Sequence, residues 1–248
     1  KVLELNNTGK RRDNGNGLRI SKAVMDKMSE ANAFTVVMDA KIHGIDAGSY
    51  PTWLDINAGV GKNEGNDYFL VSLLTFADTP GEFNAQLLAD EYGIPRSEAV
   101  RIHNGTGSSA CIGKWVQLAF VQDGTNSTIY IDGKVAASGD QRATIAQILG
   151  TGANITIGRS NFWQADTGID AMIDNVAVYD YALTQEQLKL AAWMRERLYC
   201  TYFDCVRAML PAGLWFRRNE MYTLAPDVDP AALHAREGEE GEVLRLFD

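Results

Sequence analysis

From Gly113 to Val135 the chain reads GKWVQLAFVQDGTNSTIYIDGKV, with apolar and polar positions interleaved around two turn signals. In the first run, Trp115, Leu118 and Phe120 are interspersed with Gln117 and Gln122. In the second, Ser127 to Ile131, the residues Ile129, Tyr130 and Ile131 are good strand formers. Asp123-Gly124-Thr125-Asn126 reads as a hairpin loop. Asp132-Gly133, whose residues tolerate positive φ, reverses the chain again into Lys134 to Ser138. The pattern predicts three successive antiparallel strands.

The same reading extends to both sides. Val2 to Leu5 and Leu18 to Ile20 are predicted strands, separated by the turn-rich loop NNTGKRRDNGNG. Val24, Met25 and Met28 recur at helical spacing and predict a turn or two of helix. Ala33 to Ile42 alternates so that Phe34, Val36, Met38, Ala40 and Ile42 share one face of a long strand. Further strands are expected at Trp53 to Asn57, Tyr68 to Leu74, Phe83 to Leu88 and Ala99 to His103, then a short helix from Ala143 to Leu149 before a strand at Ile155. The Gly-rich loop after Asn57 lacks the spacing that cradles phosphate, so nucleotide binding is set aside.

Beyond Leu183 the period changes. Thr184 and Gln187 form a capping-box signal. From Leu188 through Ala191, Leu198, Tyr202, Phe203 and Val206 to Met209, apolar residues recur every three or four positions. This predicts one helix of about 25 residues, 184–210, ended by Pro211 and Gly213. The remainder, to Asp248, reads as an irregular arm.

Two stretches resemble a known family. Trp115 opening a strand, the DG-type loop and "IYIDGK" form the first. "ITIGRSNFWQADTGIDAMIDNVAVYDYAL", Ile155 to Leu183, forms the second. Together they resemble the laminin G-like branch of the concanavalin A-like lectin/glucanase superfamily over roughly residues 1–188. The resemblance implies an all-β, two-sheet antiparallel jelly-roll sandwich over 1–188, with a C-terminal α-helix and irregular arm over 189–248. It also implies that Trp115, Met38 and Ala40 are buried. Residues 78–110 fit the family least.

The 46% hydrophobic content is ample for a core. A net charge of −9 argues against a nucleic-acid partner, whose phosphates need clustered Lys and Arg. No apolar run approaches the roughly 20 residues of a membrane span. No signal peptide is legible, and a chain opening at Lys1 on a strand is expected of a mature or trimmed product. Cys111, Cys200 and Cys205 lack metal-ligand spacing. The last two pair only if the expected helix is broken, so free buried thiols are favoured. Sequons at Asn6, Asn104, Asn126 and Asn154 permit an extracellular or cell-surface location.

Catalysis finds little support. The E-x-D-x-x-E triplet by which retaining glycosidases on this fold flank the scissile bond is absent, and Asp170 and Asp174 have no Glu beside them. His43, His103 and His234 stand far apart with no paired nucleophile motif. Calcium is the cofactor the resemblance implies, held between the loop after the first strand and the closing strand. Carried over residue by residue, its ligands are Asp13, Asn14, Asn16 and Asp174. The alternative is that Asp174 and Asn175 merely cap a strand end. Sugar binding needs a stacking aromatic with amides nearby. The exposed candidates are Trp53 and Tyr68, and Asn161, Phe162, Trp163 and Gln164 in the loop SNFWQADTG.

Two functional classes stand. One is a non-catalytic carbohydrate-binding or adhesion module, with a glycan or glycoprotein as partner, which the resemblance favours. The other is a structural subunit whose helix 184–210 and arm dock on a protein partner, which the tail favours.

Overall fold

The computed structural model describes residues 2–10, 14–44, 52–57, 68–75, 80–88, 100–103, 112–150, 152–160 and 168–209, with only the backbone considered at 57, 68–75, 80–88 and 100–103. One compact unit spans Lys1–Met209, and residues from Leu210 onward form a second unit outside the described residues.

Among the described residues, twelve strands build two six-stranded sheets. The first sheet runs β1 (Leu3–Leu5), β12 (Asp170–Tyr179), β3 (Ala33–Gly44), β8 (Trp115–Asp123), β9 (Asn126–Ile131), β10 (Lys134–Asp140). The second runs β2 (Leu18–Arg19), β11 (Asn154–Ile157), β4 (Thr52–Asn57), β5 (Tyr68–Thr75), β6 (Pro80–Leu88), β7 (Val100–His103). The pairings between these strands are all antiparallel. This is the jelly-roll sandwich that the resemblance implies.

The sandwich core follows strand parity. Phe34, Val36, Met38, Ala40 and Ile42 of β3 all point inward and are buried with Leu118, Phe120, Ile129, Ala171 and Ile173. Phe34 and Phe120 pack with ring centroids 5.6 Å apart. The reversal at Asp132-Gly133 has φ of 49° and 67°, and Asp132 Oδ1 accepts from Gln117 N at 2.8 Å. Helices α1 (Lys22–Ala31) and α2 (Ile145–Gly150) lie against each other and add Met25, Met28, Ile145 and Ile148 to the same core.

The odd positions of β3 point the other way, onto a second buried layer. Here α3 (Gln185–Leu198) and α4 (Tyr202–Met209) cover the outer face of the first sheet. Thr35, Val37, Asp39, Ala119 and Val121 are buried beneath Leu183, Leu188, Ala191, Tyr202, Cys205 and Val206. The Thr35 hydroxyl donates to Tyr181 O and accepts from Leu183 N, both at 2.9 Å. The capping box at Thr184 and Gln187 is formed on both sides.

Two expectations change here. The single helix 184–210 is two helices, broken where Tyr199 takes φ 55°. A second capping box, Thr201 with Asp204, starts α4 anew. The break turns part of the expected apolar stripe outward, so Tyr199 is 96% exposed and Leu198 and Phe203 are also exposed. Trp115, expected in the core, is 45% exposed. Its parity explains why: Val116, Leu118 and Phe120 occupy the inward positions, and Trp115 stands one residue out of phase.

Candidate functional site

The outer face of the second sheet is polar along several register lines. One line passes through Arg19, Thr156, Asp55, Leu70, Gln86 and Arg101. The next, two residues along, contains Asn154, Asn57, Tyr68 and Leu88. On the other side lie Thr52, Ser72, Asn84 and His103. The alternating register positions are Ile155, Ile56, Phe69, Leu87 and Val100, then Ile157, Leu54, Val71, Ala85 and Ile102, of which Ile155, Ile56, Ile157 and Leu54 are buried in the core. One side of this sheet is thus almost wholly apolar and the other is rich in donors and acceptors. Same-face positions repeat about every 6.6 Å along a strand and about 4.8 Å between strands.

A bulge in β4 decides which side Trp53 joins. The register shifts between Thr52 and Leu54, and such an insertion leaves two successive residues on one side. Trp53 therefore joins Leu54 in the core and is fully buried, which removes it as an exposed stacking residue. Its indole nitrogen has no hydrogen-bond partner among the described residues. Asp55 takes the polar side and is itself buried.

Both ends of the 161–167 segment are fixed to β4. Ser160 Oγ donates to Asp55 Oδ2 at 3.1 Å, and Gly168 bridges to Thr52. Thr156 Oγ1 donates to Arg159 O at 2.8 Å and steadies the turn that feeds the segment. At the sheet's edge the Arg19 guanidinium donates to Asn154 Oδ1. Of the sugar-binding candidates, Tyr68 lies on the polar register by its backbone. Asn161, Phe162, Trp163 and Gln164 lie outside the described residues.

The loop after β1 is closed by Asn7. Its buried amide nitrogen donates to Asn16 O (3.0 Å), Gly158 O (3.1 Å) and Ile169 O (3.0 Å), while Oδ1 accepts from Asn16 N at 2.7 Å. Three converging carbonyls are the kind of donor set a hard cation uses, and here a neutral amide occupies their centre. Of the four calcium ligands expected, Asn14 and Asn16 lie on this exposed loop and Asp13 lies outside the described residues. Asp174 is elsewhere, about 16 Å along β12 from Ile169 at the strand's rise. It pairs in register with Asp39 on the helix-covered face and accepts from Asn175 N at 2.9 Å. Among the described residues, Asp174 therefore stands apart from Asn14 and Asn16.

The carboxylate beside the first loop is Asp170. It accepts from the Thr8 hydroxyl, and its other oxygen is 3.5 Å from His43 Nδ1. The sequence GIDAMID offers two Ile-Asp pairs four residues apart. Strand parity places both on the same face, and only distance along β12 separates their neighbours.

The fold is a two-sheet antiparallel jelly-roll sandwich with the outer face of one sheet covered by its own helices. The chain belongs to the concanavalin A-like lectin/glucanases superfamily, in its laminin G type, whose family model matches residues 16–189. Among solved structures, the leech intramolecular trans-sialidase is similar at 14% identity and TM-score 0.55, over 76% of this chain and 26% of that one. The CBM40 of the Ruminococcus gnavus IT-sialidase, solved with α2,3 sialyllactose, is similar at 20% identity and TM-score 0.51, over 76% of this chain and 95% of that one. Domain 4 of AbnA, an extracellular arabinanase from Geobacillus stearothermophilus in complex with arabinotriose, gives 20% identity and TM-score 0.47, over 64% and 65%. At these identities the likeness to the first two establishes the fold alone. No curated protein matches the sequence at a significant level. No helix among the described residues is long and apolar enough to cross a membrane.

Proposed function

We propose that the chain is a non-catalytic carbohydrate-binding module that takes its glycan on the polar face of the second sheet. The observation that carries this reading is the pair of register lines across the second sheet that place Asn57, Tyr68, Gln86 and Arg101 at neighbouring positions of β4, β5, β6 and β7. Sugars are recognised by planar hydrogen-bonding groups with an aromatic ring against the less polar side of the pyranose. Tyr68 supplies that ring, and Asn57, Gln86 and Arg101 supply the polar groups. Phe162 and Trp163 are further aromatic candidates, since the described residues on either side of them, Ser160 and Gly168, are held against β4. Binding is independent of calcium, since the carbonyl cluster after β1 is already occupied by the Asn7 amide.

The neighbours support the ligand class: carbohydrate is named for the R. gnavus module and for the arabinanase domain. An extracellular role, as part of a glycan-directed protein or in adhesion, follows from that reading. The test is a glycan array run with calcium and with chelator, followed by titration calorimetry on Tyr68→Ala and Gln86→Ala. The expected result is binding to a defined glycan in both conditions, weakened at least tenfold by either substitution. Binding abolished by chelator removes the calcium-independent site. Unchanged affinity in both variants removes the sheet-face reading.

A structural-subunit reading has its own observation. Leu190, Trp193, Leu198, Tyr199 and Phe203 are exposed on α3, α4 and their corner. Obligate oligomerisation of the full chain, with no glycan bound, would favour it.

A further inference from the structure

The corner between α3 and α4 brings two thiols together. In an unbroken helix, residues five apart point about 140° away from each other around the axis. The left-handed Tyr199 and the Thr201–Asp204 capping box end that arrangement and swing Cys205 back under Cys200. Their Sγ atoms lie 3.1 Å apart, both as free thiols. That separation exceeds a disulfide bond length by only about 1 Å. Cys200 is half-buried and faces the Met194 carbonyl at 3.8 Å, whereas Cys205 is fully buried beneath it.

We propose that Cys200 and Cys205 are oxidised to an intrachain disulfide that locks the α3–α4 corner, with Cys200 as the sulfur that meets the oxidant. The oxidant is a disulfide, either oxidised glutathione or the active-site disulfide of a thiol oxidoreductase. The Cys200 thiolate attacks one of its sulfurs, forming a mixed disulfide and expelling one thiolate. Cys205 then loses its proton and attacks Cys200 Sγ, expelling the second thiolate. The protein loses two protons and two electrons, and the oxidant becomes two thiols. Burial holds the Cys205 thiol up at about 12, so its attack is the slower step.

The bond has a structural consequence one helical turn away. Tyr202 lies between the two cysteines in sequence and docks on Asp39 of β3. Closing the corner fixes the start of α4 and so the reach of Tyr202.

Incubating the full chain with oxidised glutathione and mapping it by mass spectrometry tests the assignment. The peptide 198–207, bounded by Arg197 and Arg207, carries both cysteines. It should lose two hydrogens with no retained glutathione, leaving Cys111 as the alkylatable thiol. C205S should stall as a stable glutathione adduct at Cys200. C200S, with its remaining thiol buried, should form any adduct roughly tenfold more slowly. Two free thiols in that peptide after oxidation, a persistent adduct on the wild-type chain, or a bond from Cys111 to either residue would overturn the proposal.

Discussion

Tyr202 donates its hydroxyl to Asp39 Oδ1 at 2.6 Å, joining a C-terminal helix to a central strand 163 residues earlier. Asp39 also receives the Arg195 guanidinium and the Asn175 amide, the latter at 3.0 Å. Arg195 lies over the Tyr202 ring, 5.4 Å from its centroid. One buried carboxylate therefore ties β3, the β12 bulge, α3 and α4 together. The charged Arg195 also offsets the repulsion between Asp39 and its register partner Asp174.

Removing parts of this junction should cost unequally. Tyr202→Phe deletes one hydrogen bond to a charged group, about 1.5–3 kcal/mol. Asp39→Ala leaves the half-buried Arg195 guanidinium and two further donors without their acceptor and should cost more than the Tyr202 bond alone. Urea unfolding of the two variants checks the order, and an equal loss would show that the Tyr202 bond is the whole junction.

Gly133 and Gly113 both have positive φ, 67° and 77°. A Cβ at Gly133 would meet Lys189 Cγ at 2.7 Å, whereas one at Gly113 meets nothing within 4 Å. Gly113→Ala should cost about 1 kcal/mol from backbone strain alone. Gly133→Ala should cost more, because it also pushes α3 off the hairpin, and the melting temperatures of the two variants measure the difference.

Asn7→Ala removes the donor shared by the carbonyls of Asn16, Gly158 and Ile169, of which Gly158 O keeps the Ile169 N–H at 3.0 Å. Each buried acceptor left unpaired costs on the order of 1–3 kcal/mol. The variant should lose several kcal/mol of stability while an exposed control, Asn14→Ala, loses little. Calcium should restore neither, and chemical denaturation with and without the ion reads this out.

Alkaline pH should loosen the helical layer first. Burial raises Tyr202, Tyr179, Tyr181 (to about 12) and the reduced Cys205 thiol (to about 12) from ordinary values of 10.0 and 9.0. Groups raised by folding give their full contribution below the unfolded values. The protein should therefore hold its stability to about pH 9 and lose it progressively as pH climbs toward 12. Tyrosinate absorbance should lag behind free tyrosine until the helices detach. At the acid end Asp204 is lowered by the Thr201 hydroxyl and then the Thr201 amide, so its cap persists above the ordinary 3.8 and fails as pH falls below it.

Much of the sandwich was legible because parity is a strong signal where one sheet face is buried. β3, the β8–β9–β10 hairpins and the Thr184 cap follow directly from local pattern. The C-terminal helix misled because its apolar spacing ran on across Tyr199. The Thr201-x-x-Asp204 cap that restarts the helix was present in the sequence, but a carboxylate at the third position is a weaker sign than Gln187 was. Trp53 was misjudged for another reason. A bulge shifts parity, and a bulge depends on pairing with β5, which no local pattern contains. The polar sheet face was equally hidden, since it emerges only when Asp55, Gln86 and Arg101, far apart in sequence, fall into one register.

The helices on the first sheet also give the module a back and a front. α3 and α4 cover the outer face of the first sheet with the chain's own residues, so on the proposed reading the glycan is met from the opposite side. Coupling the protein to a support through exposed positions of α3, such as Lys189 or Glu196, would present every copy in the same orientation. A surface made this way should capture glycan as fully as the protein in solution, whereas attachment through Arg19 should not.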